Sequence, residues 1–356
     1  MGVEHLSIRG FRNLSSVEIQ ADPGINWLSG DNGAGKTSVL EALYVLARGR
    51  SFRSAQIGAV IGHDVDSLMV VGHVQPQADE PTLVMGIERD ASGWRGRIGG
   101  EDSHRVSDFA RQLPVVLIEP DSHRLVSDGP QGRRQYIDWL LFHVEPHYLA
   151  QWQRYQRLLK QRNAALKTGG SSSVLDALDP PLVAAGEALN ALRQAQVDVL
   201  ERALLALNKS LSLRLPGEIQ IRYRAGHASE KTLAEAVADG RDSDVESGFT
   251  RSGPHRADLV LRVAGFPAAQ ESSRGQQKLL ATLLLLAQWR QFIDHGQSAP
   301  ILLLDDPVSE LDQAHLTQLL DWLRAQPHQV WITATDPGPE GVKTFHVEQG
   351  QIQSVV

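Results

Sequence analysis

Eight consecutive residues, Gly30-Asp31-Asn32-Gly33-Ala34-Gly35-Lys36-Thr37, restrict what this chain can be more than any other feature of its 356 residues. They fit the spacing G-x-x-x-x-G-K-[ST], in which glycines let successive backbone N–H groups curl around phosphate oxygens. In that arrangement Lys36 reaches the terminal phosphates, and the Thr37 hydroxyl ligates Mg²⁺. Gly30 through Ser38 are therefore the expected cofactor-binding stretch, with Lys36 as the catalytic cation. The flanks agree. Ile25 to Leu28 is a short apolar run that reads as a strand, and Val39, Leu40, Leu43 and Leu46 recur at helical spacing. A helix beginning near Lys36 adds the positive end of its dipole to the loop. Strand, glycine-rich loop and helix in that order predict an α/β fold with a nucleotide site.

A second segment completes such a site. Ile301-Leu302-Leu303-Leu304 is followed by Asp305 and Asp306. A buried parallel strand that emerges with an acid at its carboxyl end delivers a Mg²⁺ ligand opposite the phosphate loop. Asp305 is the expected metal ligand beside Thr37, and Asp306 is placed to polarise an attacking water as general base. Two further stretches flank these acids. Ser272-Ser273-Arg274-Gly275-Gln276 precedes a long apolar run, and Ser309-Glu310-Leu311-Asp312 follows the acids directly. Taken alone, the first of these is a helix start with Ser273 as N-cap.

The rest of the chain falls into three stretches. Up to about residue 115, Leu6 to Ile8, Val17 to Ile19, Leu68 to Val74 and Thr82 to Ile87 fit period-2 strands. Val115 to Ile118 is a continuous apolar run closed by Pro120, as in a buried strand. From about Gln131 to Leu213, helical periodicity replaces the strand signals, with Tyr148, Trp152, Tyr155, Leu158 and Leu159 on one face. A break at Thr168 to Ser173 separates this run from a second, Val183 to Leu211, and the two are expected to pair as an antiparallel hairpin. From about Leu259 the α/β character returns, with a helix from Gln276, a strand Ile301 to Leu304, a helix from Gln313 and a strand Gln329 to Thr333. The expected organisation is one α/β lobe, 1–118 and 246–356, split by a helical lobe over 119–245.

Composition removes several classes. Zero Cys excludes a disulfide scaffold, a thiolate metal site and a Cys nucleophile. The most apolar stretch, Leu279 to Leu286, is far shorter than the roughly 20 residues of a membrane span. The amino terminus has no secretory pattern, so a cytoplasmic protein without a membrane partner is expected. Net charge is -7, yet Arg supplies 28 of the 35 basic residues, and Arg suits bidentate phosphate contacts. Arg50, Arg53, Arg133, Arg134, Arg154 and Arg157 are candidates for phosphate contacts, set against two plainer roles: solvated helix faces, or pairing with carboxylates such as Asp138 and Glu145. Contacts of this kind would be salt-sensitive and would read little sequence. His255, in a Gly-Pro turn, reads as structural rather than as a metal ligand.

The order of phosphate loop, Ser-x-Gly-Gln segment, paired acids and Ser309 to Asp312 is similar to that of ABC-type ATPases, whose signature motif and D-loop the last segments resemble. More specific stretches resemble the RecF family of SMC-like DNA replication and repair proteins. These are Leu6 to Asn13, Gly49 to Arg53, Gln161 to Ala164, Gly253 to Asp258 and Trp331 to Thr335. The resemblance implies an ABC-type P-loop ATPase head of the SMC kind with an inserted helical lobe. It implies a homodimer formed on ATP binding, in which Ser273, Gly275 and Gln276 act in trans on the partner's nucleotide. It further implies ATP and Mg²⁺ as cofactors, slow hydrolysis and binding to double-stranded DNA near single-strand gaps, which makes Arg50, Arg53, Arg133, Arg134, Arg154 and Arg157 the DNA-contact candidates. RecO and RecR are its implied partners, in RecA loading and the SOS response. Two positions depart from the ATPase pattern: Ser272 replaces the usual leucine, and Asp306 replaces the usual glutamate. Thr335 stands where many such ATPases carry a histidine. A transporter-type subunit predicts a glutamine after Ile118, where Glu119-Pro120-Asp121 stands, and an SMC-like structural scaffold predicts far longer heptads. A small-molecule kinase predicts no signature segment.

Overall fold

The computed structural model describes residues 1–76, 80–169, 172–211, 215–295 and 298–355. It divides into two units: Met1–Ser122 with Ser210–Leu213 and Leu284–Val356, and His123–Lys209 with Arg214–Leu283.

In the first unit the apolar runs form a six-stranded sheet in the order Gln351–Val355, Lys343–Glu348, Ile25–Ser29, Val330–Ala334, Ile301–Leu304 and Val115–Ile118. All but the Gln351–Val355 edge strand run parallel. Ile301–Leu304 and Val330–Ala334 are buried at every position, which is why they read as continuous apolar runs rather than as alternation. The register pairs Ser29 with Ala334 and Leu304 with Ile332, so the carboxyl ends of three adjacent strands emerge together. In a parallel α/β sheet that edge is where ligands are held.

A second six-stranded sheet, wholly antiparallel, runs Leu14–Gln20, Gly2–Phe11, Ser67–Gln75, Leu83–Asp90, Gly93–Ile98 and Glu101–Ser103. Its inward residues, among them Leu6, Ile8, Ile19, Val70 and Ile87, share one hydrophobic core with the helix Lys36–Arg48 and with Leu303 and Trp331 of the parallel sheet. That helix is buried on nearly every side, where a surface helix would keep one polar face. A methyl group at Gly72 would lie 2.7 Å from Leu46 Cδ2, so a larger residue there would displace the Leu46 side chain where the sheet meets the helix.

The second unit contains the helices Pro130–Val144, Tyr148–Lys167 and Ser172–Ser210 and a small antiparallel sheet. Arg162 pairs with Asp179, and the Gly186 position abuts Tyr155, so the two long helices run antiparallel as expected. The second starts eleven residues before Val183 and takes in Pro180 and Pro181. Two prolines there remove intrahelical hydrogen bonds, but Asp176 and Asp179 in the same turn are held by Arg241, and Asp179 also by Arg162. Of the expected break, Thr168 and Gly169 lie beyond the helix end, Gly170 and Ser171 fall outside the described residues, and Ser172 and Ser173 already belong to the second helix.

The division between units differs from the expected boundary at 246. Residues 246–283 cluster with the helical unit, because the strand Asp258–Val263 pairs with Ile219–Arg224 and Phe266–Pro267 and with no strand of the two larger sheets. No helix among the described residues is long and apolar enough to cross a membrane.

Candidate nucleotide-binding site

The phosphate loop leaves the strand Ile25–Ser29 at the carboxyl edge of the parallel sheet and ends at Gly35, the N-cap of the helix Lys36–Arg48. Gly30 has φ 144°, and a β-carbon there would meet the Val347 carbonyl oxygen at 2.1 Å, so no other residue fits. Lys36 curls back over the loop, its Nζ donating to the carbonyl oxygens of Gly30 at 2.6 Å and Asp31 at 2.8 Å. Burial pushes its pKa down, while Asp306, Asp305 and Asp31 act in the opposite direction.

Asp305 is the meeting point of three segments. Its Oδ1 accepts from the Thr37 hydroxyl and from the Thr333 hydroxyl, each at 2.8 Å. Thr37 and Asp305 are 268 residues apart in sequence. Burial raises the Asp305 pKa, and the two hydroxyl donors and Arg53 pull it back. A carboxylate and a hydroxyl already within hydrogen-bonding distance form a hard oxygen pair of the kind that holds Mg²⁺ alongside phosphate oxygens and water, so these residues fit that cation. Asp306 takes a left-handed backbone conformation, φ 48°, and its N–H donates to Thr333 Oγ1 at 2.8 Å. It thereby lines, with Asn32, Lys36, Thr37 and Thr335, a cavity of about 380 Å³. Lys36, Thr37, Asp305 and Asp306 are thus brought together.

Other residues of this cavity were not singled out by sequence reasoning. Asn13 Nδ2 donates to the carbonyls of Ala34 at 3.0 Å and Gly33 at 3.3 Å, and its Oδ1 accepts from Ser38 at 3.1 Å. Arg12, Ala59, Ile61 and His63 line the same space. The segment carrying the last three is pinned by backbone bonds from Arg12 N–H to Val60 and from Gly62 N–H to Gly10, each 2.8 Å. Arg12 and Asn13 lie in a family-like stretch, but no spacing rule connects that stretch to the loop.

The signature segment lies in the other unit and is not among the residues lining this cavity. Ser273 and Gln276 form a reciprocal capping box at the start of the helix Arg274–Asp294. The Ser273 N–H donates to Gln276 Oε1 at 2.8 Å, and the Gln276 N–H donates to Ser273 Oγ at 3.3 Å. Ser273 and Gly275 are exposed, and open space surrounds the Gly275 Cα. Asp312 caps the helix Gln313–Arg324 by accepting the His315 N–H at 2.9 Å.

The six arginines expected at DNA separate into different environments. Arg133 is buried: Nε and Nη2 bind the Asp258 carboxylate at 2.8 and 3.2 Å, and Nη1 binds the Asp128 carbonyl at 2.6 Å. It is a structural cation, and the expectation of a DNA contact there is corrected, because its donors are already spent inside the fold. Arg134 is half-buried and donates to the Ala257 carbonyl at 2.8 Å. Arg53 lines the nucleotide cavity, which moves it from the DNA set to the loop's surroundings. Arg50, Arg154 and Arg157 are exposed. The last two stand with Lys160 on the helix Tyr148–Lys167, a twenty-residue helix without a single acid. His255 is held between the Tyr155 hydroxyl at 2.7 Å and the Thr250 carbonyl at 2.9 Å, a structural placement.

Comparison with known proteins places this geometry in a family. The model of the RecF/RecN/SMC N-terminal domain matches residues 2–340. A curated relative from Stenotrophomonas maltophilia (strain R551-3), "DNA replication and repair protein RecF", is 39% identical over 363 residues, covering 100% of both chains. A relative of the same description from Xanthomonas axonopodis pv. citri (strain 306) is 40% identical over 362 residues, covering 99% of this chain and 98% of the other. A solved structure of the recombination mediator protein RecF-ATP in the RecFOR pathway superposes with a TM-score of 0.87 at 24% identity, covering 99% of this chain and 97% of that one. An Smc head domain from Pyrococcus furiosus superposes at 0.60 and 15% identity, over 99% and 95% of the two chains. The fold is thus the ABC-type head shared by RecF and SMC proteins.

Proposed function

The chain belongs to the RecF family, within the RecF/RecN/SMC N-terminal-domain group, and on that footing we propose that it is an ATP-gated DNA-binding switch of recombinational DNA repair. One observation carries the reading. Lys36, Thr37, Asp305 and Thr333 converge at the carboxyl edge of the parallel sheet beside an open cavity of about 380 Å³.

Each residue then has a task. Lys36 gives up the Gly30 and Asp31 carbonyls and turns its ammonium to the terminal phosphates of ATP. Thr37 and Asp305 would hold Mg²⁺, and the chemistry it would supply there is to offset the negative charge of the phosphates. Thr333 keeps Asp305 oriented and anchors the Asp306 backbone. Asp306 takes the proton of the attacking water. Its side chain is one methylene shorter than glutamate, in keeping with slow turnover and a switch rather than a motor. Ser273, Gly275 and Gln276 act on the nucleotide of a partner subunit. To do so, Ser273 and Gln276 exchange their capping bonds for phosphate contacts.

Duplex DNA is held through its phosphates by Arg154 and Arg157, joined by Lys160, on the acid-free helix. RecO and RecR act with the chain in the cytoplasm at single-strand gaps, leading to RecA loading. A solved relative is itself described as a mediator of the RecFOR pathway.

Sedimentation velocity with and without ATP and Mg²⁺, in the presence and absence of duplex DNA, tests the switch. A monomer that dimerises only with ATP, and a Ser273→Arg variant that binds ATP but stays monomeric, are the expected results. An unchanged mass while ATP binds would remove the composite site and leave an ordinary P-loop ATPase.

A further inference from the structure

Glu41 lies one helical turn after Thr37 and is fully buried. A carboxylate is almost never enclosed in this way unless it is paired. It is paired with unusual completeness. The Arg12 guanidinium grips it from two sides, Nη2 reaching Oε1 at 2.8 Å and Nε reaching Oε2 at 2.5 Å. The Ser51 hydroxyl donates to Oε1, and Arg53 Nη1 stands 3.9 Å from Oε2. Ser51 Oγ in turn accepts the backbone N–H groups of Arg53 at 3.0 Å and Ser54 at 2.8 Å. The carboxylate therefore sets the turn that carries Arg53 as well as touching its side chain.

Arg12 and Arg53 come from different segments, and both line the nucleotide cavity. Arg12 sits at the turn between the strands Gly2–Phe11 and Leu14–Gln20 with φ 51°, a conformation that a non-glycine residue keeps only when its surroundings hold it. An ion pair that served stability alone would need one cation. Here two guanidiniums converge on one carboxylate, so the cluster carries a surplus positive charge on a cavity wall that also holds Lys36.

We propose that Glu41 is a positioning residue: it fixes Arg12 directly, and Arg53 through the Ser51 turn, so that both guanidiniums face the anionic phosphates of the bound nucleotide. This rests on the nucleotide reading of the loop and extends it to a residue that touches no ligand. Glu41 orders the two arginines before the nucleotide arrives, which lowers the entropy cost of binding.

Equilibrium titration of the full chain with a fluorescent ATP analogue tests this, alongside thermal melts without nucleotide. Glu41→Gln keeps the shape and removes the charge. It is expected to weaken ATP about tenfold, within the range of a charged hydrogen bond. Arg12→Gln with Arg53→Gln is expected to do the same, and adding Glu41→Gln to that pair is expected to cost less than about twofold more, the non-additivity of groups acting as one unit. Glu41→Asp retains the charge and is expected to recover part of the affinity. If Glu41→Gln does not fold, Ser51→Ala leaves the carboxylate in place and cuts only the route to Arg53, with a smaller loss of ATP affinity expected. Wild-type ATP affinity in Glu41→Gln or in Ser51→Ala overturns the inference, as does full additivity with the arginine changes. A wild-type chain that binds no ATP would instead remove the nucleotide reading and this inference with it.

Discussion

Replacing Arg133 by methionine is expected to destabilise the helical unit while leaving the DNA surface intact. The side chain is about a tenth exposed and joins three segments: its own helix Pro130–Val144, the turn ending at Asp128 and the strand Asp258–Val263. Methionine fills much of the space but leaves the buried Asp258 carboxylate without its bidentate partner. Breaking a buried pair from one side costs about 3–5 kcal/mol. Arg224 Nη2, 3.6 Å from Asp258, offsets part of this, which favours the lower end. At about 2–4 °C per kcal/mol for a unit of this size, a loss of about 3 kcal/mol lowers its melting transition by roughly 6–12 °C. Circular dichroism melts of the full chain read that shift, and DNA titrations well below the transition are expected to match wild type. Adding Asp258→Leu removes the second charge and is expected to restore most of the stability. A variant that melts like wild type but loses DNA affinity in a salt-dependent way would refute the reasoning and return Arg133 to the DNA surface.

Two further outcomes follow from the site and the acid-free helix. Burial raises the Asp305 pKa above its unfolded value, so the ionised form is a cost to the folded chain at neutral pH that vanishes as pH falls below the ordinary carboxylate pKa of about 3.9. Asp305→Asn without nucleotide is therefore expected to melt higher than wild type at pH 7, with the gap closing on acidification and no added protection from MgATP; a lower melting point at pH 7 would contradict this. Arg154→Gln with Arg157→Gln is expected to leave the melt unchanged, since both are exposed, and to flatten the slope of log K for duplex DNA against log salt by about 0.9 for each phosphate no longer neutralised. An unchanged slope would place the DNA elsewhere.

The phosphate loop was legible because its chemistry is local. Eight residues between an apolar run and a helical repeat specify the backbone curl whatever surrounds them, and the chain folds there as that spacing requires. Asp305 and Asp306 were legible for a related reason: four apolar residues of a strand flanked on both sides within a parallel sheet can end only where the sheet ends. Side-chain partners were not legible, because sequence spacing carries no information about which distant segments meet. Exposed Arg154 and buried Arg133 look alike as basic residues of a helical run, and only the packing of Asp258, 125 positions from Arg133, separates them. Arg53 passed from the DNA set to the nucleotide cavity in the same way, through Glu41. The unit boundary moved because a strand's alternation states that it pairs, while register and loop closure decide with which strand. By itself the sequence determined backbone conformation and the order of burial, which short-range sterics and periodicity encode. Tertiary structure alone decided which buried charge each arginine answers, because that depends on distances between segments that only folding brings together.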